Sequence, residues 1–190
     1  MRKLIYYVAC TADGFIAKSD GSYDCFLNEG EHLADLAKEF PETFPVHMHA
    51  HFGVRLDKTR FDTVLMGRGT YDAGYKFGIA SPYPHLKQFV FSRSMTSTPS
   101  ADVELVRDHT VETVSDLKRH VGKDIWLCGG GDLATQLAPL IDELILKVNP
   151  VVIGAGIPLF RGAIDPLKLS VLTRKVYASG YERVHYAVAR

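Results

Sequence analysis

The sequence predicts an α/β fold whose leading strands run parallel and whose last two strands form an antiparallel hairpin. Runs of β-branched and aromatic residues alternate with segments of helical apolar spacing. Near the C-terminus, two alternating segments flank Ser179-Gly180, a pair typical of tight hairpin turns. The predicted strands cover residues 3–10, 61–66, 88–91, 102–107, 125–128, 143–148, 169–178 and 181–189, and the predicted helices 29–40, 71–77, 111–121 and 133–140.

The composition limits the size class and the partners. The 190 residues are 46% apolar and no Pro/Ser-rich linker divides them, so we expect one domain spanning residues 1–190. Lys plus Arg and Asp plus Glu both total 22, so the net charge is close to zero. We therefore expect no general attraction to nucleic acid or to an anionic membrane, and local groups must hold any anion.

The cysteines and the N-terminus bear on the compartment. Cys10, Cys25 and Cys128 are odd in number and form no C-x-x-C pair, which favours free thiols in a reducing compartment. The first residues show no signal-peptide pattern, and no run approaches the roughly 20 apolar residues that span a bilayer. These features predict a cytoplasmic protein.

A glycine-rich junction is the first candidate site. Residues 125–133 read Ile-Trp-Leu-Cys-Gly-Gly-Gly-Asp-Leu, an apolar strand followed by three glycines and a predicted helix. Glycines let a ligand approach the backbone, and a helix N-terminus favours an anion, so we expect a phosphate here. The alternative is a plain strand-to-helix turn. An ordinary dinucleotide-binding Rossmann domain is not expected, because Val148-Asn149-Pro150 stands where that motif needs an acidic residue.

Two arginines follow other predicted strands. Gly67-Arg68-Gly69-Thr70 precedes a predicted helix, where a cation meets the unfavourable end of the helix dipole unless an anion lies between them. Ser92-Arg93-Ser94 follows the next strand and offers hydroxyls and a guanidinium suited to phosphate. Chance surface placement is the alternative for Arg68.

These segments are expected to meet at one edge of the sheet. The loops after parallel strands open on the same side, which would bring together residues 13–17, 67–70, 92–94 and 129–133. Two arginines and two backbone anion sites suit a ligand with several phosphates. A dinucleotide fits better than a sugar phosphate.

The histidines at 47, 49 and 51 alternate along the chain and are candidate metal ligands. No neighbouring Cys, Asp or Glu completes a site, so we expect a solvated loop and no bound metal. A metal-dependent hydrolase is therefore the weakest of the functions considered.

In this order, the motifs resemble the dihydrofolate reductase-like superfamily. The resemblance rests on Val64 to Tyr71, on Phe91-Ser92-Arg93, on the three glycines and on Asp13-Gly14-Phe15-Ile16-Ala17. The last motif is similar to the C-terminal reductase domain of bacterial riboflavin biosynthesis, and the likeness covers nearly the whole chain. It implies a mixed, mainly parallel sheet flanked by helices, an NADPH site and a homodimer.

The resemblance also implies roles for individual residues. The pyrophosphate and the adenosine phosphate would lie near Gly67, Arg68, Gly69 and Thr70, and the 2′-phosphate near Ser92 and Arg93. The pyrophosphate would also be surrounded by Gly129, Gly130, Gly131, Asp132 and Leu133. The nicotinamide would lie near Ile16 and Ala17. Dihydrofolate reductases hold their pteridine with a carboxylate on the first helix. Here Asp24, Glu29, Glu31 and Asp35 compete for that role; we take Asp24 as the candidate catalytic carboxylate, with Asp13 and Glu29 as rivals.

The expected function is an NADPH-dependent reductase acting on a small heterocycle, either pteridine-like or pyrimidine-like. The alternative is a non-catalytic nucleotide-binding module that keeps the phosphate loops. A complete bifunctional riboflavin enzyme is excluded, because the chain lacks the H-x-E and P-C-x-x-C deaminase motif. In the expected homodimer, the C-terminal strands with Val171, Val176, Tyr181 and Tyr186 would be covered, since an exposed edge invites aggregation.

Overall fold

A central sheet of eight strands organises the molecule. The computed structural model describes residues 1–57 and 59–189. The strands are β1 (Leu4–Thr11), β2 (Phe15–Ala17), β3 (Phe61–Gly67), β4 (Lys87–Phe91), β5 (Val103–Val106), β6 (Asp124–Gly129), β7 (Glu143–Asn149), β8 (Ile157–Pro158), β9 (Lys168–Val176) and β10 (Glu182–Ala189). The helices are α1 (Glu31–Glu39), α2 (His49–Phe52), α3 (Arg68–Tyr75), α4 (Thr110–Arg119) and α5 (Gly131–Leu137), with single 3₁₀ turns at Pro41–Thr43, Val46–Met48 and Ala138–Leu140.

The strand order confirms the predicted topology. Across the sheet it is β5-β4-β3-β6-β1-β7-β10-β9. The first six strands in this order pair in parallel, whereas β10 is antiparallel to β7 and to β9. The fold is therefore a mixed, mostly parallel α/β sheet with an antiparallel C-terminal hairpin. None of the described helices is long and apolar enough to cross a membrane.

Both faces of the sheet are buried, each by a different kind of core. One face is rich in aromatic rings, among them Tyr7, Phe61 and Trp126. The other is mainly aliphatic, with residues such as Leu65 and Leu127 packed against α5. Each fully buried side chain of this size contributes roughly 1.5 to 3 kcal/mol. The two cores hold the parallel strands in register, and so fix where their ends lie.

A small second sheet lies beyond the end of β1. β2 pairs with β8, and both carboxylate oxygens of Asp13 accept hydrogen bonds from the backbone of residues 153 and 154. The backbone of Leu159 also donates to Gly14, and that of Arg161 donates to Gly131. Segment 150–161 is therefore fastened both to the turn after β1 and to the glycine turn after β6.

Three local predictions were wrong. The histidine segment 47–51 is not a loop, because a 3₁₀ turn at Val46–Met48 continues into α2. Helix α3 begins at Arg68, since β3 runs into it without a connecting loop. Tyr181 does not belong to the exposed edge, because α1 covers it and His32 stacks on its ring at 4.0 Å.

A buried carboxylate ties four strands together at the opposite edge from the glycine turn. Glu143 on β7 is almost fully buried and binds Lys3 before β1, Arg60 before β3 and His185 on β10, at 2.5, 2.6 and 2.7 Å. Burial raises the pKa of the Glu143 carboxyl, but the hydrogen bonds and positive charge outweigh this, and the pKa lies below its ordinary value.

We predict that Glu143→Gln lowers the free energy of unfolding by about 2 to 3 kcal/mol at neutral pH, because three donors lose their charged acceptor. The folded pKa is depressed, so this stabilisation is present above the unfolded pKa and is lost as the pH falls through the folded pKa. Urea unfolding of both proteins should show a difference that shrinks on acidification. Glu104→Gln, at an exposed position on β5, is the control; a difference no larger than that of the control would contradict the prediction.

Candidate functional site

Three strand ends meet at one edge of the sheet. β4, β3 and β6 are adjacent and parallel, with Gly67 opposite Phe91 and Met66 opposite Gly129. The residues that follow them line a cleft of about 1890 Å³. Pockets for one small ligand typically hold about 300 to 1,000 Å³, so this cleft has room for two ligands.

Most of the predicted site residues lie in this lining. The four predicted loops contribute Ile16, Ala17, Gly67, Arg68, Gly69, Thr70, Ser92, Arg93, Gly130, Gly131, Asp132 and Leu133. Gly129 lies directly beside it, since a Cβ atom there would be 3.5 Å from the Thr70 hydroxyl and 4.0 Å from Ile16. The chain thus brings the predicted segments together, while their roles in binding stay predictions.

The turn between β6 and α5 depends on glycine. Gly129 has a φ of 132°, a conformation that favours glycine, and its peptide bond to Gly130 is cis. A Cβ atom on Gly67 would lie 3.2 Å from the Gly130 nitrogen, and one on Gly131 would overlap the carbonyl oxygen of Pro158. Larger residues would push apart the strand ends or the β8 segment. The turn therefore offers bare backbone to the cleft.

Hydroxyl groups and a guanidinium link the loops after β3 and β4. Arg68 donates to the Ser94 hydroxyl at 2.7 Å and to Asp72 at 3.2 Å. The hydroxyls of Ser92 and Ser94 are 3.4 Å apart, and the Arg93 side chain is exposed beside them. Arg68 is thus already held in place at the point where we expect an anion.

Two further arginines line the same cleft and were missed in the sequence. Arg107 follows β5 as Arg93 follows β4, but residues 102–107 were predicted as one strand, so Arg107 was not predicted as a site residue. Arg161 lies after β8 and forms a pair with Asp132 at 3.4 Å, both side chains being largely exposed. Such exposed pairs contribute about 0 to 1 kcal/mol, so an anion can compete for Arg161. The position of Arg107 at the end of a strand could have marked it as a site residue, whereas nothing in the sequence marks Arg161.

One little-exposed part of the lining, which we call the buried end, consists of Val8, Ala9, Met66, Tyr83 and Cys128. Burial raises the pKa of the Cys128 thiol to about 12 and that of the Tyr83 hydroxyl well above its ordinary value. Both groups therefore stay protonated at neutral pH. Tyr23, Phe26, Pro45 and Met48 extend this surface. Such a lining suits a flat, largely apolar ring.

Asp24 lies outside the residues that line the cleft. Its side chain is 70% exposed and pairs with Lys18 at 2.7 Å, and this hydrogen bond lowers the pKa of its carboxyl. The acidic residues that do line the cleft are Asp20, Asp72, Asp108, Glu112 and Asp132. The role of Asp24 as the substrate carboxylate stays a prediction.

The rival carboxylates have structural partners or are exposed. Asp13 holds segment 150–161, Glu31 accepts from the backbone of Ala178, and Asp35 binds Lys175 and Tyr177. Glu29 is exposed. In residues 1–57 and 59–189, no group of three His, Cys, Asp or Glu side chains is arranged to hold a metal ion.

Comparison with known proteins places the chain in a family. Residues 2–181 match the model of the RibD C-terminal domain. Two relatives from Bacillus subtilis, the uncharacterized proteins YwjB and YyaP, are 32% and 28% identical over 99% and 97% of the chain, covering 99% and 94% of their own lengths.

Solved structures share the fold. A putative riboflavin biosynthesis protein from Shewanella sp. PV-4 is 25% identical with a TM-score of 0.73, and each chain covers 100% of the other. A deaminase/reductase from Thermotoga maritima has 15% identity and a TM-score of 0.64, over 99% of this chain and 57% of its own. Enterococcus faecalis dihydrofolate reductase, complexed with NADP(H), has 17% identity and a TM-score of 0.63, over 99% and 97%. The family match and the sheet topology agree, and the chain belongs to the RibD C-terminal domain family, with a dihydrofolate reductase-like fold.

Proposed function

We propose that the protein is an NADPH-dependent reductase that transfers a hydride to a small heterocyclic substrate, pteridine-like or pyrimidine-like. The observation that carries the proposal is the lining of the cleft, which combines arginines and bare glycine backbone with buried apolar side chains. A dinucleotide combines phosphates with a nicotinamide ring in the same way. The family is one of NAD(P)H-dependent reductases.

The residues at the exposed end fit the phosphates of this cofactor. Ser92 and Arg93, with Arg68 fixed beside them, would hold the 2′-phosphate through charge-assisted hydrogen bonds. The backbone of Gly130 and Gly131 and the Thr70 hydroxyl would face the pyrophosphate. Arg161 would offset the negative charge of Asp132 there.

The residues toward the buried end would orient the ring and exclude water. Ile16 and Ala17, held by the β2–β8 pairing, would form one wall, and Val8 and Ala9 the floor. When bound, the cofactor supplies the hydride, while the chain supplies position and a low-dielectric pocket.

A non-catalytic nucleotide-binding module is the second candidate. It is favoured by one observation, the position of Asp24 outside the cleft lining. Such a module would bind the cofactor but would not oxidise it in the presence of any heterocycle, whereas the reductase would.

We also propose a homodimer that covers strand β9, and a cytoplasmic location. β9 ends the sheet and is exposed at all nine positions, with Val171 at 60% and Val176 at 58%. An apolar edge of this length is usually covered. The location is supported by the free cysteines at 10, 25 and 128.

The cofactor proposal predicts a preference for NADPH over NADH. A charge-assisted hydrogen bond contributes about 1.5 to 3 kcal/mol, so loss of the 2′-phosphate should weaken binding about ten-fold to over a hundred-fold. Arg93→Ala should weaken NADPH binding by about ten-fold or more and leave NADH binding nearly unchanged, as measured by calorimetry.

Arg119→Ala provides the matched control, because Arg119 is exposed on α4 and binds Asp116 outside the cleft. Equal affinity of the unaltered protein for both cofactors, or an equal loss for both in Arg93→Ala, would refute the 2′-phosphate assignment.

The dimer proposal predicts a mass of two chains in light scattering. Val171→Asp should shift the equilibrium to monomer, because it places a charge in the proposed contact. Val121→Asp is the control, since Val121 is fully exposed and lies between α4 and β6. A monomer mass for the unaltered protein over a wide concentration range would rule the dimer out.

A further inference from the structure

Lys147 on β7 has an unusual position for a lysine. It lies two residues after Ile145, which packs in the aromatic core, and stands opposite Ala9 on β1. Side chains in register on neighbouring parallel strands share a face, so Lys147 lies on the same face as Ile145 and Ala9. Ala9 and Cys128 line the buried end of the cleft, whereas Lys147 is not itself a lining residue and lies beside Ala9 on the next strand. Cys128 is close enough to Lys147 to affect the pKa of its amine.

The ammonium of Lys147 rests on a ring and not on a carboxylate. Its nitrogen is 4.2 Å from the centre of the Tyr7 ring. Over the residues that the structure describes, no hydrogen bond or ion pair to this nitrogen is found. A cation–π contact contributes about 0.5 to 2 kcal/mol and does not replace the hydration that the ammonium loses.

The buried cations Lys118 and Arg2 are paired with carboxylates, whereas Lys147, which is partly buried, is not. Lys118 binds Asp142 at 2.6 Å and the carbonyl oxygen of Leu140 at 2.7 Å. Arg2 binds Asp62 and Thr63. Against this pattern, Lys147 keeps its charge at a cost in free energy, and burial lowers its pKa to about 8. Such costs are commonly retained at functional sites.

The surroundings give the buried end a positive character. The titratable and charged groups nearest Lys147 on the neighbouring elements are Tyr7, Cys10, Cys128, Arg183 and His32. The carboxylate of Glu39 pairs with Arg183 at 2.7 Å, and Glu39 and Glu42 also act on Tyr7, but among the described residues no carboxylate is paired with Lys147. Three of the acidic residues that line the cleft are on α3, α4 and α5, Asp108 lies just before α4, and Asp20 lies in the loop after β2.

We infer that the positive charge of Lys147, next to Ala9 of the lining, sets the substrate specificity of the buried end, because it favours a flat heterocycle with a carbonyl or anionic oxygen over a protonated ring. The inference rests on the proposed function, because it takes the buried end as the substrate subsite. It reverses the charge expected if Asp24 held the substrate.

The test uses two ring probes of opposite charge, orotate and 2,4-diaminopyrimidine, titrated calorimetrically into the full chain with and without NADPH. The unaltered protein should bind orotate more tightly. Lys147→Met should weaken orotate binding about ten-fold and leave 2,4-diaminopyrimidine binding unchanged or tighter, because a positive charge next to the subsite is lost. Lys87→Met, exposed on β4 outside the cleft, should change neither affinity.

A pH series separates a charge effect from a packing effect. The amine of Lys147 is charged below its pKa of about 8, so orotate affinity should fall about four-fold from about pH 7 to about pH 8.5. Lys147→Arg keeps its charge throughout, so its orotate affinity should stay constant over this range. This variant retains the charge and nearly the length of the side chain. It therefore tests the role of the charge even if Lys147→Met does not fold.

The inference is overturned if neither probe binds, if 2,4-diaminopyrimidine binds the unaltered protein more tightly, or if Lys147→Met leaves the ratio of affinities unchanged. Selective loss of 2,4-diaminopyrimidine in Asp24→Asn, with no effect of Lys147→Met, would assign the charge to Asp24 instead. NADPH binding and oxidation are measured separately. If these fail while the Lys147-dependent ratio persists, the reductase proposal fails and the charged subsite stands.

Discussion

The contact between Gly67 and the Gly129-Gly130 backbone is the constraint on which the cleft depends. β3 and β6 are neighbours in the sheet, and their ends approach closely because neither carries a side chain there. This lets β3 run straight into α3, so that Arg68 stands in the first helical turn beside the exposed glycine backbone. The loops after β4 and β1 then close around the same point. A single side chain at this contact would disturb every wall of the cleft.

The fold could be predicted because its signals are local and repeated. Apolar runs of strand length, helical spacing between them and the Ser179-Gly180 turn define the alternation and the final hairpin. Short elements could not be predicted in the same way. β8 has only two residues, and the segment around it is held by hydrogen bonds to Asp13 and Gly14. α2 has only four residues and continues directly from the preceding 3₁₀ turn.

The exposed end of the cleft was more predictable than the buried end. Phosphate-binding groups stand directly after strands, so Arg68, Ser92 and Arg93 could be found from their place in the chain. The buried end is assembled across strands that are far apart in sequence. Ala9 on β1 and Cys128 on β6 line it, and Lys147 on β7 lies on the same face. In the sequence, Lys147 is one polar residue in an apolar run, and only the strand register shows which face it occupies.

The protein has no net charge, but several of its positive charges lie at one cleft. The arginines at positions 68, 93, 107 and 161 line one cleft although the chain has equal numbers of acidic and basic residues. Attraction of an anionic ligand is therefore a short-range effect, which salt screens once the ligand is more than about 10 Å away.

The segment from residue 150 to 161 is fastened at three points within a dozen residues. Asp13 fastens its start, β8 pairs with β2 in its middle, and Arg161 bonds to Gly131 at its end. Its length is therefore as constrained as that of a strand, although it is mostly irregular. An insertion between residues 154 and 161 would lengthen the path between two fixed anchors and displace Arg161 from the glycine turn. Length variation among relatives should thus be rare in this segment and common in loops with one anchor.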